Sequence, residues 1–155
     1  MNNVQIELYK PEYKEAFILL NTEWITRYFR LEESDVYTLN NIEEYILNKG
    51  GQIFLAIMNG KVVGCCALIA HPEDQTFEMA KMAVSPQAQG LGLGRKLGEA
   101  LIQYAKERGI KRVFLEGNTR LESSIILYHK LGFEEVTVSN SVYERCNIMM
   151  VLDIE

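Results

Sequence analysis

Cysteine, proline and histidine are all scarce in this chain of 155 residues, which has three Cys, three Pro and two His. Three Cys is an odd count, and Cys65 and Cys66 are adjacent. Neighbours in a strand point to opposite faces and rarely pair, so they read as buried thiols in a reducing, cytoplasmic setting rather than as a disulfide framework. Neither His has a Cys or carboxylate at ligand spacing, which argues against a metal site. Long apolar runs are missing too. The longest, Val62 to Ala70, has nine residues, where a bilayer span needs roughly 18. The start, Met1-Asn2-Asn3-Val4-Gln5, has no basic n-region and no apolar h-region, so no secretory leader is expected. Positive charge is also short. A net charge of −5 and a pI of about 5.2 argue against a general nucleic-acid binder, whose affinity rests on a basic surface.

What is present is apolar and mixed: 48% of the residues are hydrophobic and 24% charged. That suits one folded domain over residues 1–155 and excludes global disorder. The charge is unevenly spread. Glu23 to Glu44 holds six acids (Glu23, Glu32, Glu33, Asp35, Glu43, Glu44) and two bases, whereas Arg95 to Arg112 holds six bases and two acids. Solvated faces account for such runs, but so does an anionic ligand beside the second segment and a cationic one beside the first.

Val4 to Tyr9 alternates as a strand, and Phe17, Leu20, Trp24 and Tyr28 mark one face of a helix over about 13–27. A polar, acidic stretch follows, and Ile42, Tyr45 and Ile46 indicate a second short helix before Gly50-Gly51. Asn59-Gly60 between apolar runs 53–58 and 61–70 is the signature of a hairpin turn in which both central residues take positive φ. Further strands are expected over 76–84, 112–116, 133–138 and 146–152, with helices over 92–108 and 123–131. The order is β-α-α-β-β-β-α-β-α-β-β. Hairpins come first and βαβ units later, so the fold class is mixed α/β with a mixed sheet.

The most informative segment joins a strand to the longest amphipathic helix: Met82-Ala83-Val84-Ser85-Pro86-Gln87-Ala88-Gln89-Gly90-Leu91-Gly92-Leu93-Gly94-Arg95-Lys96. Glycines at alternate positions let backbone amides turn inward, and the helix start adds about half a positive charge. This is an anion cradle of the kind that seats phosphate. A P-loop needs Gly-x-x-x-x-Gly-Lys-Ser/Thr, which does not occur. A dinucleotide fingerprint needs Gly-x-Gly-x-x-Gly, and its third place falls on Arg95 or Leu97.

The spacing that fits is Gln89-x-x-Gly92-x-Gly94 behind Val84-x-Pro86, which resembles the acetyl-CoA-binding motif of the GNAT superfamily of N-acetyltransferases. Leu127-Tyr128-His129-Lys130-Leu131-Gly132-Phe133 is similar to a second segment of that family, and it starts in the right order, with Tyr128 lying 34 residues after Gly94. The element order matches along nearly the whole chain. The chain departs from the pattern at Leu121 and Ser124, where many relatives have Asn and Ala. Asn118 is the nearest Asn and takes the expected pantetheine contact, with a turn role as the alternative.

The resemblance implies a mostly antiparallel sheet of six or seven strands with about four helices, splayed at an acetyl-CoA cleft. It implies that Met82, Ala83 and Val84 offer backbone groups to pantetheine. The segment Gln89, Gly90, Leu91, Gly92, Leu93, Gly94 and Arg95 would hold the pyrophosphate, with Tyr128 and Lys130 also on the cofactor. A donor polarising the thioester carbonyl is worth about 3 to 4 kcal/mol in other acyl-transfer enzymes. Tyr128 matches the family's general acid, a role suited to a phenol that stays protonated at neutral pH. Glu78 is the candidate general base through water, because in a regular strand Glu78, Ala80, Met82 and Val84 share one face. Lys81 would then face away, without a role. His71 reads as a turn residue, Ser123 and Ser124 as helix caps, and an acyl-cysteine route is a minor alternative.

The first two helices of that fold wall the acceptor site. Trp24 and Tyr28 interleave there with the acids, and Arg145 is placed to clamp an acceptor carboxylate. The expected activity is direct transfer of acetyl from acetyl-CoA to a primary amine of a small molecule, amino-acid-like or a polyamine. A protein lysine or N-terminal acceptor and a non-catalytic acyl-CoA sensor are the alternatives. Partners would be acetyl-CoA and the amine, with no nucleic acid, membrane or metal. A homodimer is left open.

Overall fold

The computed structural model describes residues 3–138, 141 and 143–154. Met1 and Asn2, part of the start read for a leader, lie outside the described residues. The elements are β1 (Val4–Leu8), α1 (Lys14–Tyr28), α2 (Glu33–Asn40), a π-helical turn (Ile42–Leu47), β2 (Gln52–Met58), β3 (Lys61–His71), β4 (Thr76–Val84), α3 (Leu93–Glu107), β5 (Arg112–Gly117), α4 (Glu122–Leu131), β6 (Glu134–Val136) and β7 (Ile148–Asp153). They form one seven-stranded sheet in the order β1-β2-β3-β4-β5-β7-β6. All pairings are antiparallel except β4 with β5. Among the described residues, no helix is long and apolar enough to cross a membrane.

Helices cover both faces. On one, Leu93, Leu97, Leu101 and Ala105 of α3 bury against Phe54, Val63, Cys66 and Leu68. On the other, Phe17 and Leu20 of α1, Leu39 of α2 and Ile42 and Ile46 of the π turn bury against Ile53, Leu55, Cys65, Ala67 and Ile69. The central strands β2 and β3 are therefore apolar on both sides, which is why they read as unbroken runs rather than alternations. Asn59 and Gly60 take φ of 53° and 76°, the pair of positive values the hairpin turn requires.

Gly51 is fixed by close backbone neighbours. A Cβ at Gly51 would stand 2.2 Å from the Leu68 carbonyl oxygen and 2.7 Å from that of Ile46, both backbone atoms that cannot rotate away. Gly51→Ala is expected to lower the unfolding free energy by roughly 1–3 kcal/mol, read from urea denaturation.

The acidic stretch after α1 proves to be a separate helix, α2, distinct from the π-helical turn around Ile42–Leu47. Its buried residues are Asp35, Thr38 and Leu39. It starts with a capping box: Glu32 caps the end while the Glu32 amide donates to Asp35 at 2.9 Å.

Candidate active site

The parallel pair β4–β5 meets at a single register point, Glu78 with Phe114. Beyond it the strands diverge, since β5 continues against β7 from Arg112 to Gly117. The β5-facing edge of β4 is thereby left open beside a cleft of about 110 Å³. An open strand edge offers its amides and carbonyls to an extended ligand.

A bulge in β4 sets what faces this cleft. Cys65 pairs with Ala83 and Ala67 with Ala80, so β4 carries one extra residue there. Lys81 absorbs it at a φ of 56°, the left-handed region. The Cys65 thiol donates to the Lys81 carbonyl at 3.3 Å, and Asn21 of α1 donates to the same sulfur at 3.5 Å. The regular-strand parity therefore fails. Ala80 and Ala83 pack on the α1 side, whereas Met79, Met82 and Val84 pack on the α3 side. Glu78, which alternates with Met79, is on the face opposite Met82 and Val84. Lys81, expected to face away without a role, instead shares Glu78's side of the sheet and reaches α2.

Lys81 Nζ donates to Asp35 Oδ1 at 2.7 Å, and both side chains are buried. The same carboxylate accepts from Arg145 Nη1 and Nη2, each at 2.8 Å. Arg145 Nη1 also donates to Glu32 at 3.0 Å. Burial alone would raise the Asp35 carboxyl, but the Arg145 hydrogen bonds and the Lys81 charge overcome it and hold it at about 2. At Lys81 burial wins and the ammonium is pushed down, because one carboxylate is shared with a second cation, Arg145. This corrects two expectations about the acceptor wall. Arg145 is committed to α2 rather than free to clamp a carboxylate. Glu32 and Asp35, the inward acids of the stretch, are neutralised by it and by Lys81.

The remaining predicted residues divide clearly. Tyr128, Met82, Glu78, Trp24, Asn118 and Arg145 all line the cleft. Tyr128 is half-buried, and burial pushes its phenol up to about 12, with the nearby Cys66 adding and a Ser124 hydrogen bond opposing. Ser123 and Ser124, expected as caps, lie inside α4, whose N-cap is Leu121. Ser124 instead faces the cleft one turn before Tyr128. Asn118 serves a turn: its Oδ1 accepts from the Arg120 amide at 2.8 Å and its Nδ2 donates to the Arg145 carbonyl at 2.6 Å. Tyr28 is not part of the lining; it packs on Trp24 with ring centroids 5.0 Å apart. Lys130 is exposed in the last turn of α4, outside the lining. Ala83 is buried on the α1 side, so only its backbone is available.

The glycine loop leads directly into α3. Gly92 is the N-cap at φ 74°, and a Cβ there or at Gly90 would meet nothing within 4 Å, so the loop opens onto free space. The first helical amide to find a carbonyl is Lys96, on Gly92 at 3.2 Å. The preceding amides of the helix start are thus unclaimed by the helix and suit an anion. Gly94 has a packing duty as well, since its Cβ would lie 2.9 Å from Leu127 of α4. Arg95 is exposed and pairs with Glu99 at 3.5 Å. Gln89 ends the short turn before the loop, its amide directed back to Pro86 at 3.5 Å, and Leu91 and Leu93 are respectively exposed and buried.

Sequence reasoning missed four contributors. Asp35, Glu116, Tyr143 and His71 carry no local motif, and only the fold brings them together. Glu116 lines the cleft beside Glu78; burial raises its carboxyl, and the Glu78 charge adds to that. Cys65 and Cys66 are fully buried, with the Cys65 thiol pushed up to about 12 by burial, a poor setting for a nucleophile.

Comparison with known proteins gives a consistent picture. The acetyltransferase (GNAT) family profile matches residues 16–133. N-acetylaspartate synthetase of Rattus norvegicus is 32% identical over 101 residues, 64% of this chain and 34% of that protein. An amino-acid acetyltransferase of Neisseria meningitidis serogroup A is 34% identical over 113 residues, 68% of this chain and 26% of that protein. The chain thus spans about a third or less of the length of these curated relatives. Among solved structures, an acetyltransferase of GNAT family from Staphylococcus aureus Mu50 superposes with a TM-score of 0.88 at 27% identity, covering 99% of this chain and 100% of that one.

Proposed function

This chain belongs to the acetyltransferase (GNAT) family, and from that premise we propose that it moves an acetyl group from acetyl-CoA directly to the primary amine of an amino-acid-like small molecule. The observation that carries the reading is the open β4 edge running from Glu78, past the Tyr128 side chain, to the unclaimed amides before α3. A long ligand with an extended amide arm and a pyrophosphate end matches that sequence of features. The names of the two curated relatives support an amino-acid-like acceptor, and Glu78 and Glu116 give its ammonium group two carboxylates to approach.

In this reading acetyl-CoA supplies the thioester. Glu78 takes a proton from the acceptor ammonium through a water, which frees the nitrogen lone pair. A backbone amide of the β4 edge donates to the carbonyl oxygen as the nitrogen attacks. Tyr128 gives its proton to the sulfur as the carbon–sulfur bond breaks, and the second proton shed by the nitrogen after attack passes through water to the phenolate, restoring Tyr128. Lys81 and Arg145, tied to α2, hold the acceptor wall in place. The neutral buried thiols of Cys65 and Cys66 favour direct transfer over an acyl-enzyme.

The test is thiol release from acetyl-CoA against a panel of amino acids, polyamines and short peptides, with calorimetric titration of acetyl-CoA on the same sample. Binding with amino-acid-dependent release is the expected result. Release with peptides or polyamines alone would move the acceptor class, binding without release would favour a sensor, and no binding would overturn the cradle.

A further inference from the structure

The candidate base has a partner that the reaction scheme above leaves unused. Register pairs Ile69 with Glu78 across β3 and β4. His71, two residues beyond Ile69, stands on the same face and reaches back diagonally. Its Nε2 lies 2.9 Å from Glu78 Oε1, with the Glu78 side chain 6% and the His71 side chain 18% exposed. The ring is fixed from two sides, edge-on to Tyr45 at 6.5 Å and tilted against Phe114 at 5.8 Å. Two cavities meet at this pair. Glu78 lines both the cleft and a broader groove of about 1140 Å³, while His71 lines the groove alone. On the groove side its Nδ1 is 3.9 Å from the largely exposed Glu73.

We propose that His71 is a positioning residue for the base: neutral, it holds Glu78 Oε1 by an Nε2–H hydrogen bond and leaves Oε2 for the water in the cleft; protonated from the groove side, it weakens that carboxylate as a base. The inference rests on the reading of Glu78 as the base. Its logic is that of a coupled pair. An imidazolium against a carboxylate lowers the carboxylate's affinity for another proton, and loss of one proton at Nδ1 restores it.

The surroundings favour the protonated imidazole. Glu73 and Asp74 lie in the turn after β3, Glu78 on β4 and Glu116 on β5, while Tyr37 and Tyr45 come from α2 and the π turn. The cations on the Glu78 side, Lys81 and Arg145, are both already paired with Asp35. Arg108, Lys111 and Arg112 line the groove, Arg112 paired with Asp153. The hydrogen bond to Glu78 raises His71 above the ordinary histidine range, and the remaining acids add, against the opposing effect of burial. The sign follows. The competent imidazole–carboxylate form fills as pH rises through the His71 value, so kcat/KM climbs there.

Two experiments test this separately from the acetyl-transfer reading. The chain has only two His, so imidazole Cε1–H signals can be followed by NMR across pH 5 to 9.5, with His129→Gln assigning them. His71 is expected to titrate above about 6.5, the free value, and to fall back in Glu78→Gln. A His71 titration indifferent to Glu78→Gln overturns the pairing. The second experiment is the kcat/KM profile of wild type and His71→Gln with the best amino acid from the thiol-release panel. Gln preserves an N–H donor to Glu78 but does not titrate. The ascending limb at the His71 value is expected to vanish, while any limb set by the amine itself stays. Superimposable profiles overturn the catalytic part of the proposal. Coupled titration in a chain that releases no thiol with any amine would count against the transferase reading and leave the pairing standing.

Discussion

Asp35→Asn is expected to cost about 3–5 kcal/mol of folding stability, the usual penalty for removing one partner of a buried charge pair. Asp35 is fully buried and accepts from Lys81, from both terminal nitrogens of Arg145 and from the Glu32 amide. Asn keeps the shape but loses the charge and replaces one acceptor oxygen with a donor, which then faces cations. For a chain of this size the loss corresponds to roughly 6–20 °C in melting temperature. Surface pairs such as Arg30–Glu144 contribute only about 0–1 kcal/mol, so Glu144→Gln serves as the control. The pH dependence separates the two charges. Asp35 is held at about 2 against an ordinary 3.8; its depressed value stabilises the fold above the unfolded carboxyl's pKa, by roughly 2 kcal/mol. That contribution is lost as pH falls from about 4 toward 2. In the variant the stress moves to Lys81, already pushed down by burial. The unfolded chain then binds the extra proton, so the variant should regain stability as pH rises toward the ordinary lysine value of 10.5. A loss within 1 kcal/mol, or a variant whose deficit does not shrink at high pH, would mean that the pair is not a buried ionic contact.

This ion cluster also shows where the amino-acid pattern stops being informative. Hairpin, glycine loop and amphipathic α3 are legible because each depends on local chemistry: positive φ at Asn59-Gly60, free amides around Gly92, a 3.6-residue apolar stripe from Leu93 to Ala105. Tyr128 is picked out by the family resemblance of its segment, which ends a helix at Gly132 and continues into the buried Phe133. α2 has no such stripe. It buries Asp35 and Thr38 beside Leu39, so its inner face is polar, and the Asp35 charge is balanced by residues 46 and 110 positions later in the chain. The bulge is harder still. Nothing in Met79-Ala80-Lys81-Met82 marks a residue at positive φ, and one inserted residue reverses the parity of every side chain after it. That single step put Lys81 on the wrong face and Met82 with Glu78. His71 reads as a turn residue for a different reason: its hydrogen bond to Glu78 depends on the β3–β4 register, which no local pattern marks.

Tyr128→Phe should lower kcat by roughly 10²-fold or more if the phenol protonates the departing sulfur, in line with the 10²–10⁴ typical of general acids. The removed atom is one oxygen. Phe keeps the ring in contact with Phe133 at a centroid separation of 6.4 Å, so acetyl-CoA affinity and folding stability should change little. A parallel fall in kcat and kcat/KM at constant acetyl-CoA Kd is the signature of an interaction made only in the transition state. Burial holds this phenol near 12, which gives a second readout. A free tyrosine titrates near 10, so an ordinary phenolic acid would switch the enzyme off as pH passes that value. With Tyr128 raised, the proton is still in place there and wild-type kcat should hold through pH 10. In wild type the phenol's proton offsets the charge on the departing sulfur, whereas Tyr128→Phe must expel a bare thiolate, so the acidity of the thiol governs the rate of the variant. Replacing acetyl-CoA with an acyl donor bearing a more acidic thiol should restore much of the activity of Tyr128→Phe while changing wild type less. If both enzymes respond equally to the thiol, Tyr128 does not carry the proton and acts by packing alone.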